Sequence, residues 1–266
     1  MTDTLRVDGR TITVTHGDRV VFPDDGVTKG EIVEHYRRVA RQMLPHLRGR
    51  PVSMQRVRDN IDAQVFYQKD APAHFPDWIR RVTVPKVGGT VAHVVCDDAA
   101  ALVYIANQGC VTPHVWLSRV RTLQAPDRMI IDLDPGAGGV ADARFAARLA
   151  REVLTDAIER RAPHRLTTEF YKAERAGRLF LDVNRNAWAQ TAVPPYAIRP
   201  KPGAPVAVPL IWEELESTAP DAWSVRTIAR RLADVPDPWR GFGPHMRTLG
   251  AARRWLARDG GSNGPV

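Results

Sequence analysis

The chain has 266 residues, a net charge of +8 and a pI of about 10.0. Its 44% hydrophobic and 26% charged residues are typical of a globular protein that can bury a sizeable core. No apolar run is long enough for a membrane span and the N-terminus lacks the pattern of a signal peptide, so we expect a cytoplasmic protein with no membrane partner.

The basic residues are strongly biased towards arginine, since only five of the 38 Lys and Arg residues are Lys. Arginine suits bidentate contacts with phosphate, so the excess favours a polyanionic partner. A GC-rich genome produces the same bias without functional meaning. The net positive charge therefore favours nucleic acid as a partner only slightly.

The first clear element is a helix that begins at Thr28. Thr28 and Glu31 have the spacing of a capping box, and an apolar stripe at helical spacing follows. Gly49-Arg50-Pro51 should end this helix. Strands are predicted at Pro51–Val57 and Thr90–Val95. Cys96 and Cys110 have no zinc spacing and are expected to be buried thiols.

Later segments alternate between strand and helix patterns. Arg128–Pro135 and Arg178–Val183 are predicted strands, and Asp142–Arg160 is a predicted amphipathic helix between them, which indicates an α/β or α+β sheet. Six prolines in Pro194–Pro209 predict an extended, polyproline-like arm. Trp223–Leu256 should form two short Arg-rich helices, and the Gly-rich residues 257–266 a disordered tail.

Three carboxylates are the main candidates for chemistry. Asp132 and Asp134 alternate on one predicted strand and so share a face, and Asp182 interrupts the apolar strand Arg178–Val183. Carboxylates that meet in a small volume repel each other unless a cation neutralises them. Mg²⁺ or Mn²⁺ suits such oxygen ligands, and three carboxylates can hold two divalent ions, as in phosphoryl transfer.

Each carboxylate also has a plainer interpretation. An Asp-x-Asp pair at a strand end often only caps a turn. A phosphatase of the haloacid-dehalogenase type is excluded, because it needs Thr or Val at the position of Gly136 and an Asp pair close to the N-terminus.

Several sequence blocks together resemble the polymerase domain of bacterial DNA ligase D, of the archaeo-eukaryotic primase superfamily. These blocks are RVVFPDDGVTKGEIVEHYRRVA (19–40), FYQKDAPAHFPDWIRRV (66–82), residues 93–119, RMIIDLDPG (128–136), residues 169–210 and the region around Trp239. The sequence NQGC-TPHVWLSR is more similar to stand-alone members of the family than to the fused ligase enzymes. The resemblance implies an α+β fold with a primase-type, RRM-like catalytic sheet. It implies one domain over 1–256, with an N-terminal α/β module (1–125), the catalytic sheet (126–210) and C-terminal helices (211–256).

The resemblance also implies roles for individual residues. Asp132, Asp134 and Asp182 match catalytic, metal-binding carboxylates. Other matches are Arg19 and Lys29 to residues that grip a 5′-phosphate, and Phe66 and Tyr67 to an aromatic pair that stacks on template bases. His114, Lys172, Arg175 and Arg199 match residues around the nucleotide and the primer. Without the resemblance, Phe66, Tyr67 and His114 would be interpreted as core residues, and Lys29 as a helix-start residue.

One expected motif is missing. The family has SGxKGxHxxxP, which holds the triphosphate, between the two acidic strands; this chain lacks it, and Asp182 follows Asp134 by only 48 residues. The helix pattern continues across a junction near Val153–Asp156, as if a segment had been removed.

The resemblance implies a nucleoid-associated repair polymerase that takes nucleoside triphosphates and DNA with 5′-phosphate ends or gaps, with Ku and a separate DNA ligase as partners. The missing motif keeps two alternatives open: a catalytically weak or inactive DNA-end-binding protein, or an internally deleted remnant.

Overall fold

The computed structural model describes residues 3–135, 139–152, 163–169, 171–182 and 186–242. The described part is α+β, as predicted, with four α-helices and mostly antiparallel sheets. The helices are α1 Lys29–Leu47, α2 Ala99–Asn107, α3 Gly139–Glu152 and α4 Ile228–Asp234. The strands are β1 Asp3–Val7, β2 Arg10–Val14, β3 Val20–Phe22, β4 Val27–Thr28, β5 Pro51–Val57, β6 Val65–Gln68, β7 Arg81–Lys86, β8 Gly89–Val95, β9 Cys110–Trp116, β10 Asp132–Asp134, β11 Leu166–Thr167, β12 Leu179–Asp182 and β13 Thr191–Ala192.

Helix α1 begins at the predicted capping box. The backbone N–H of Glu31 donates to Thr28 Oγ1 at 3.3 Å, and the Glu31 carboxylate accepts from the Thr28 N–H at 2.8 Å. Arg226 adds a 2.8 Å ion pair to the same carboxylate. The predicted apolar stripe is buried, and the helix ends at Leu47, just before Gly49, whose φ is +68°. The start and end of α1 are therefore confirmed.

The largest sheet has six antiparallel strands in the order β13-β9-β5-β8-β7, with β6 also paired to β5. Along one edge, β5 pairs with β8 through its first residues and with β6 through its last residues. Along its other edge, β5 pairs with β9. One face of this sheet carries buried Val52, Met54, Val94 and Val115, which join α1 and α2 in the main core. The other face carries polar and aromatic side chains.

A second sheet holds the aspartates. Its order is β10-β12-β11, with β10 antiparallel and β11 parallel to β12. Leu133, Leu179 and Leu181 pack with Phe145 and Ala146 of α3 in a small separate core. Because side chains alternate along a strand, the neighbouring residues Asp132, Asp134 and Asp182 lie on the opposite face. The Leu residues therefore anchor this sheet to α3 and leave its acidic face uncovered by that helix.

The prediction of an extended arm over Pro194–Pro209 is wrong. The chain turns back on itself there, with Ile198 bridged to Val206 and Pro205 bridged to Ser224. Tyr196 and Ala204 both have positive φ, +67° and +44°. Proline excludes helix but does not prevent turns, and the apolar residues between the prolines are buried against the main core.

Other predicted boundaries shift. Strand β10 is shorter than Arg128–Pro135, α3 begins earlier than Asp142, and α4 is the only helix of Trp223–Leu256 within the described residues. Residues 153–162, the junction Val153–Asp156 among them, and the tail 257–266 lie outside the described residues. Cys96 and Cys110 are buried free thiols, as predicted. The three-part domain division stays a prediction; β13, which it assigned to the catalytic sheet, pairs with β9. No helix in the described ranges has the length and apolar character needed to cross a bilayer.

Candidate functional site

The three predicted aspartates are brought to one face of the small sheet by register. Asp132 of β10 lies directly opposite Asp182 of β12, and Asp134 lies opposite Phe180. Directly opposed side chains in an antiparallel pair have Cβ atoms roughly 5 Å apart, and two like charges there destabilise the pair. Asp132 and Asp182 are half-buried and Asp134 is exposed. The strands thus set two carboxylates against each other, with a third one step along.

The donor chemistry of this face suits a hard divalent cation, since carboxylate oxygens are the preferred ligands of Mg²⁺ and Mn²⁺. Within the described residues, however, no group of three or more His, Cys, Asp or Glu side chains is close enough to hold a metal ion. The opposed pair Asp132–Asp182 is therefore the part of the predicted metal site that the register assembles. Asp134 would have to approach this pair to serve as a third ligand.

A basic residue lies beside the acidic face. The guanidinium of Arg175 packs over the ring of Phe180 at 3.9 Å, and its Nε donates to the Glu169 carbonyl at 3.0 Å. Because Phe180 is the cross-strand neighbour of Asp134, this contact places Arg175 next to the aspartates. Lys172 begins a single 3-10 turn, Lys172–Glu174, and its side chain lies outside the described part of the structure.

A second group of predicted site residues lies on the polar face of the large sheet. Tyr67 and His114 contact each other edge to face, with ring centroids 5.1 Å apart, and His114 Nε2 lies 3.1 Å from Gln55 Oε1. Tyr67 is 56% exposed, too much for a core residue, so its ring is open to a ligand. Phe66 points to the other face, where the Arg56 guanidinium lies 5.8 Å from its ring. The predicted aromatic pair is thus split between two faces.

The third group lies where residues 15–19 cross the start of α1. Lys29 is only 7% exposed, and its ammonium donates to the Thr15 carbonyl at 2.6 Å. Arg19 Nη1 donates to the Arg58 carbonyl at 2.6 Å, while the buried Arg19 Nε has no hydrogen-bond partner. Burial, and next the charge of Arg19, lower the pKa of Lys29 to about 8. Neither cation forms an ion pair with an acid among the described residues, so the two charges together favour an anion.

The amides of the α1 N-terminus do not contribute to this site. The Lys29 N–H donates to the Arg19 carbonyl at 2.8 Å, and the Gly30 N–H donates to the Gly17 carbonyl at 2.8 Å. The Glu31 N–H donates to Thr28 Oγ1 at 3.3 Å. The first three amides of α1 are therefore already hydrogen-bonded within the chain. Any anion must be held by the Lys29 and Arg19 side chains.

Arg199 lies on a different segment from the aspartates. It is exposed on the turn between Ile198 and Val206, and its backbone N–H donates to the Pro205 carbonyl at 2.7 Å. The Ile198 carbonyl accepts from Thr112 Oγ1 at 2.5 Å, which fixes this turn to β9 of the large sheet. The candidate residues therefore form three described groups, with Arg199 on the segment attached to the His114 strand.

Comparison with known families identifies the fold. The model of the LigD primase-polymerase domain matches residues 28–158 and 154–239. The chain belongs to this family. The match is in two segments that overlap at 154–158, between Asp134 and Asp182.

Individual relatives agree with this assignment. The multifunctional non-homologous end joining DNA repair protein LigD of Mycobacterium tuberculosis is 28% identical, over 84% of this chain and 36% of that protein. The Pseudomonas aeruginosa LigD is 26% identical, over 93% of this chain and 35% of that protein. This chain thus spans about a third of their length. The solved polymerase domain from M. tuberculosis ligase D in complex with DNA has a TM-score of 0.80 at 26% identity, covering 89% of this chain and 99% of that chain.

Sequence reasoning missed several partners of the candidate residues. Gln55 could have been found, because alternation along Pro51–Val57 puts it on the same face as Ser53, away from the buried Met54. Thr15 and Arg58 contribute backbone carbonyls, which carry no signal of residue type. Phe180 was assigned to an apolar strand, and nothing local indicated that Arg175 packs on it.

Proposed function

We propose that this chain is a metal-dependent nucleotidyltransferase of the LigD polymerase type, which adds nucleotides to a primer at DNA ends or at short gaps bounded by a 5′-phosphate. The observation that carries the proposal is the register that sets Asp132 opposite Asp182, with Asp134 on the same face. The opposed carboxylates would bind divalent Mn²⁺ or Mg²⁺, two ions if Asp134 joins them. The bound ions would supply activation of the primer hydroxyl and neutralisation of charge on the transferred phosphate.

The remaining groups would position the substrates. Arg175, held on Phe180, would face the triphosphate of the incoming nucleotide, with Lys172 and Arg199 as further cations that the family resemblance assigns there. Tyr67 would stack on a template base, since stacking on an exposed ring tolerates any sequence. Its contact with His114 keeps the ring upright on the sheet. Phe66 faces away from Tyr67 and would support the strand from the Arg56 side.

Lys29 and Arg19 would bind the 5′-phosphate on the far side of the gap. Both are partly or fully buried cations, and the Arg19 Nε has an unsatisfied N–H. A charge-assisted bond from a guanidinium to phosphate is among the stronger hydrogen bonds. A phosphate oxygen would satisfy this donor and offset the repulsion between the two cations. This pocket supplies the preference for a phosphorylated end.

The test is extension of a primer across a short gap in duplex DNA, with Mn²⁺ and ribonucleoside triphosphates, which the family resemblance favours as substrates. Asp132→Ala should abolish extension. Asp234→Ala is the matched control, because Asp234 is 62% exposed on α4 and its carboxylate forms a surface ion pair with Arg230 at 3.6 Å. If wild type extends the primer no better than Asp132→Ala, the chain is not a polymerase under these conditions and the enzyme proposal fails.

A second candidate function is DNA-end binding without efficient catalysis. It is favoured by the absence of SGxKGxHxxxP and by the two-segment family match that meets at 154–158. Loss of one transition-state donor costs roughly 10²–10³ in rate, and the missing motif would supply several. This candidate predicts 5′-phosphate-dependent binding that Lys29→Gln removes, together with no extension. Equal binding to phosphorylated and unphosphorylated gaps would contradict both candidates.

Partners follow from the same proposal. The chain would act with Ku at the DNA end and with a separate DNA ligase that seals the product. Sedimentation of the chain with Ku on a short duplex tests the first, and gap closure after addition of a ligase tests the second. A chain that fills gaps but never migrates with Ku on DNA would remove Ku from the proposal.

A further inference from the structure

A cavity at the C-terminal end of α1 combines positive charge with exposed aromatic rings. Its volume is about 500 Å³, within the range of small-molecule sites. One wall is α1 near His46, a second is the segment that leads from β9 to β10, and the third is residues 235–242. His46 follows Lys29 by 17 residues along α1, so the cavity lies roughly 25 Å from the Lys29 pocket. It contains none of the residues of the candidate active site.

The charge of the cavity is strongly positive. Five arginines line it: Arg41, Arg50, Arg119, Arg128 and Arg240. One of the two lining aspartates, Asp127, is shared by Arg50 at 2.5 Å and Arg119 at 2.7 Å. The other, Asp237, accepts bonds from the Tyr196 hydroxyl at 2.7 Å and the Trp239 N–H at 3.0 Å. The lining residues therefore have a net positive charge, which favours an anionic ligand.

Arg128 is a partly buried cation of the cavity wall. It donates to the His46 carbonyl at 3.1 Å, so its position is set by the end of α1 and not by an acid. Burial, and next the charge of Arg50, lower the pKa of Arg128 to about 10, which still leaves it charged at neutral pH. Burial, and next Arg128, lower the pKa of His46 to about 4, so the imidazole is neutral. An anion beside Arg128 would stabilise its charge.

The aromatic wall consists of Trp239 and Phe242. Their rings are stacked, with centroids 5.3 Å apart and planes 18° apart, and His46 meets Trp239 edge to face at 5.8 Å. Trp239 is 40% exposed and Phe242 is 45% exposed, so flat ring surface is open to the cavity. Both rings also line the adjoining apolar cavity of about 390 Å³ beside Met129 and Ile130. A planar ring is the ligand group that such a surface stabilises best.

We propose that this cavity binds a nucleoside phosphate, with the phosphate held by its arginines and the base stacked on Trp239 and Phe242. A bare phosphate would leave the rings in water, and an uncharged ring would leave the arginines without a counter-charge. A nucleotide matches both, and base–aromatic and arginine–phosphate contacts are the usual means of binding it. The source is either a free nucleotide or the terminal nucleotide of a DNA strand.

The test is calorimetric titration of the whole protein with adenosine 5′-monophosphate in EDTA, which removes divalent ions and so suppresses binding at the aspartates. Trp239→Ala and Arg41→Glu should each weaken binding about tenfold, by loss of stacking and of charge. Trp212→Ala and Arg121→Glu are matched controls, because both residues are exposed and lie outside the cavity. Arg41 is exposed, so its variant still tests the site if Trp239→Ala fails to fold.

Each outcome decides the proposal. Monophosphate binding that falls in both cavity variants and persists in both controls supports it. Competition by a 5′-phosphorylated single-stranded oligonucleotide then assigns the nucleotide to a strand end, and lack of competition assigns it to a free nucleotide. The proposal is overturned if no binding is observed, if inorganic phosphate binds equally well, or if Lys29→Gln removes the binding that Trp239→Ala leaves intact.

Discussion

The pKa of Lys29 makes a quantitative prediction about DNA-end recognition. Lys29 is buried beside Arg19, and its pKa is lowered from the ordinary 10.5 to about 8, first by burial and then by Arg19. The ammonium is therefore charged below pH 8 and neutral above it. A 5′-phosphate is fully charged above pH 7, since its second pKa is about 6. The preference for a phosphorylated gap should accordingly fall about tenfold between pH 7 and pH 9.

The assay is fluorescence anisotropy of two gapped duplexes that differ only in the 5′-phosphate, at constant ionic strength. The ratio of their affinities cancels general effects of pH on DNA binding. Lys29→Arg is the diagnostic variant, because arginine stays charged throughout this range; its ratio should be flat. Lys86→Gln is the control for loss of an exposed lysine. A wild-type ratio that does not change between pH 7 and pH 9, or an equal fall in Lys29→Arg, would refute the assignment of Lys29 to the phosphate.

Three further predictions follow from described contacts. Tyr67→Leu should weaken binding to gapped DNA about tenfold with little change in melting temperature, because the ring is exposed and, in its proposed role, stacks on a template base; an unchanged affinity contradicts the stacking role. Arg50→Met should cost about 3 kcal/mol in urea denaturation, since it leaves the partly buried Asp127 with Arg119 as its remaining ion-pair partner and removes the guanidinium donor from the Leu117 carbonyl. The surface variant Arg80→Met should cost less than about 1 kcal/mol. Equal losses of stability in the Arg50 and Arg80 variants would show that burial of the ion pair does not determine the cost of removing it. Thr28→Ala should cost about 1 kcal/mol through loss of the N-cap, and no shift of the urea midpoint would contradict that.

Local features of this fold were predictable because their causes are local. A capping box depends on two side chains three residues apart, so Thr28 and Glu31 could be assigned from spacing. The alternation of Asp132 and Asp134 with Leu133 follows from the geometry of one strand. Pro51–Val57 was also predicted as a strand, and β5 has the same bounds. The family resemblance, carried by long blocks in order, added the α+β fold, which the structure confirms.

The proline-rich segment shows where local reasoning ends. Prolines exclude a helix, but they permit both an extended arm and a turn. The turn is selected by distant partners: Thr112 Oγ1 donates to the Ile198 carbonyl, and the Ile198 N–H donates to Tyr36 at 3.2 Å. These contacts join residues more than 80 positions apart, and no local pattern reports them.

The three aspartates and the proposed phosphate pocket also combine features that are local in sequence with features that are not. Sequence alone determined that Asp132 and Asp134 share a face, that Asp182 interrupts an apolar strand, and that Lys29 lies at the start of α1. Only the tertiary structure decided that Asp132 lies opposite Asp182, that Arg19 lies beside Lys29, and that the α1 amides are already bonded to residues 17 and 19. The physical reason is that register and loop placement are set by burial of the whole core, whereas alternation and capping are set by covalent geometry within a few residues.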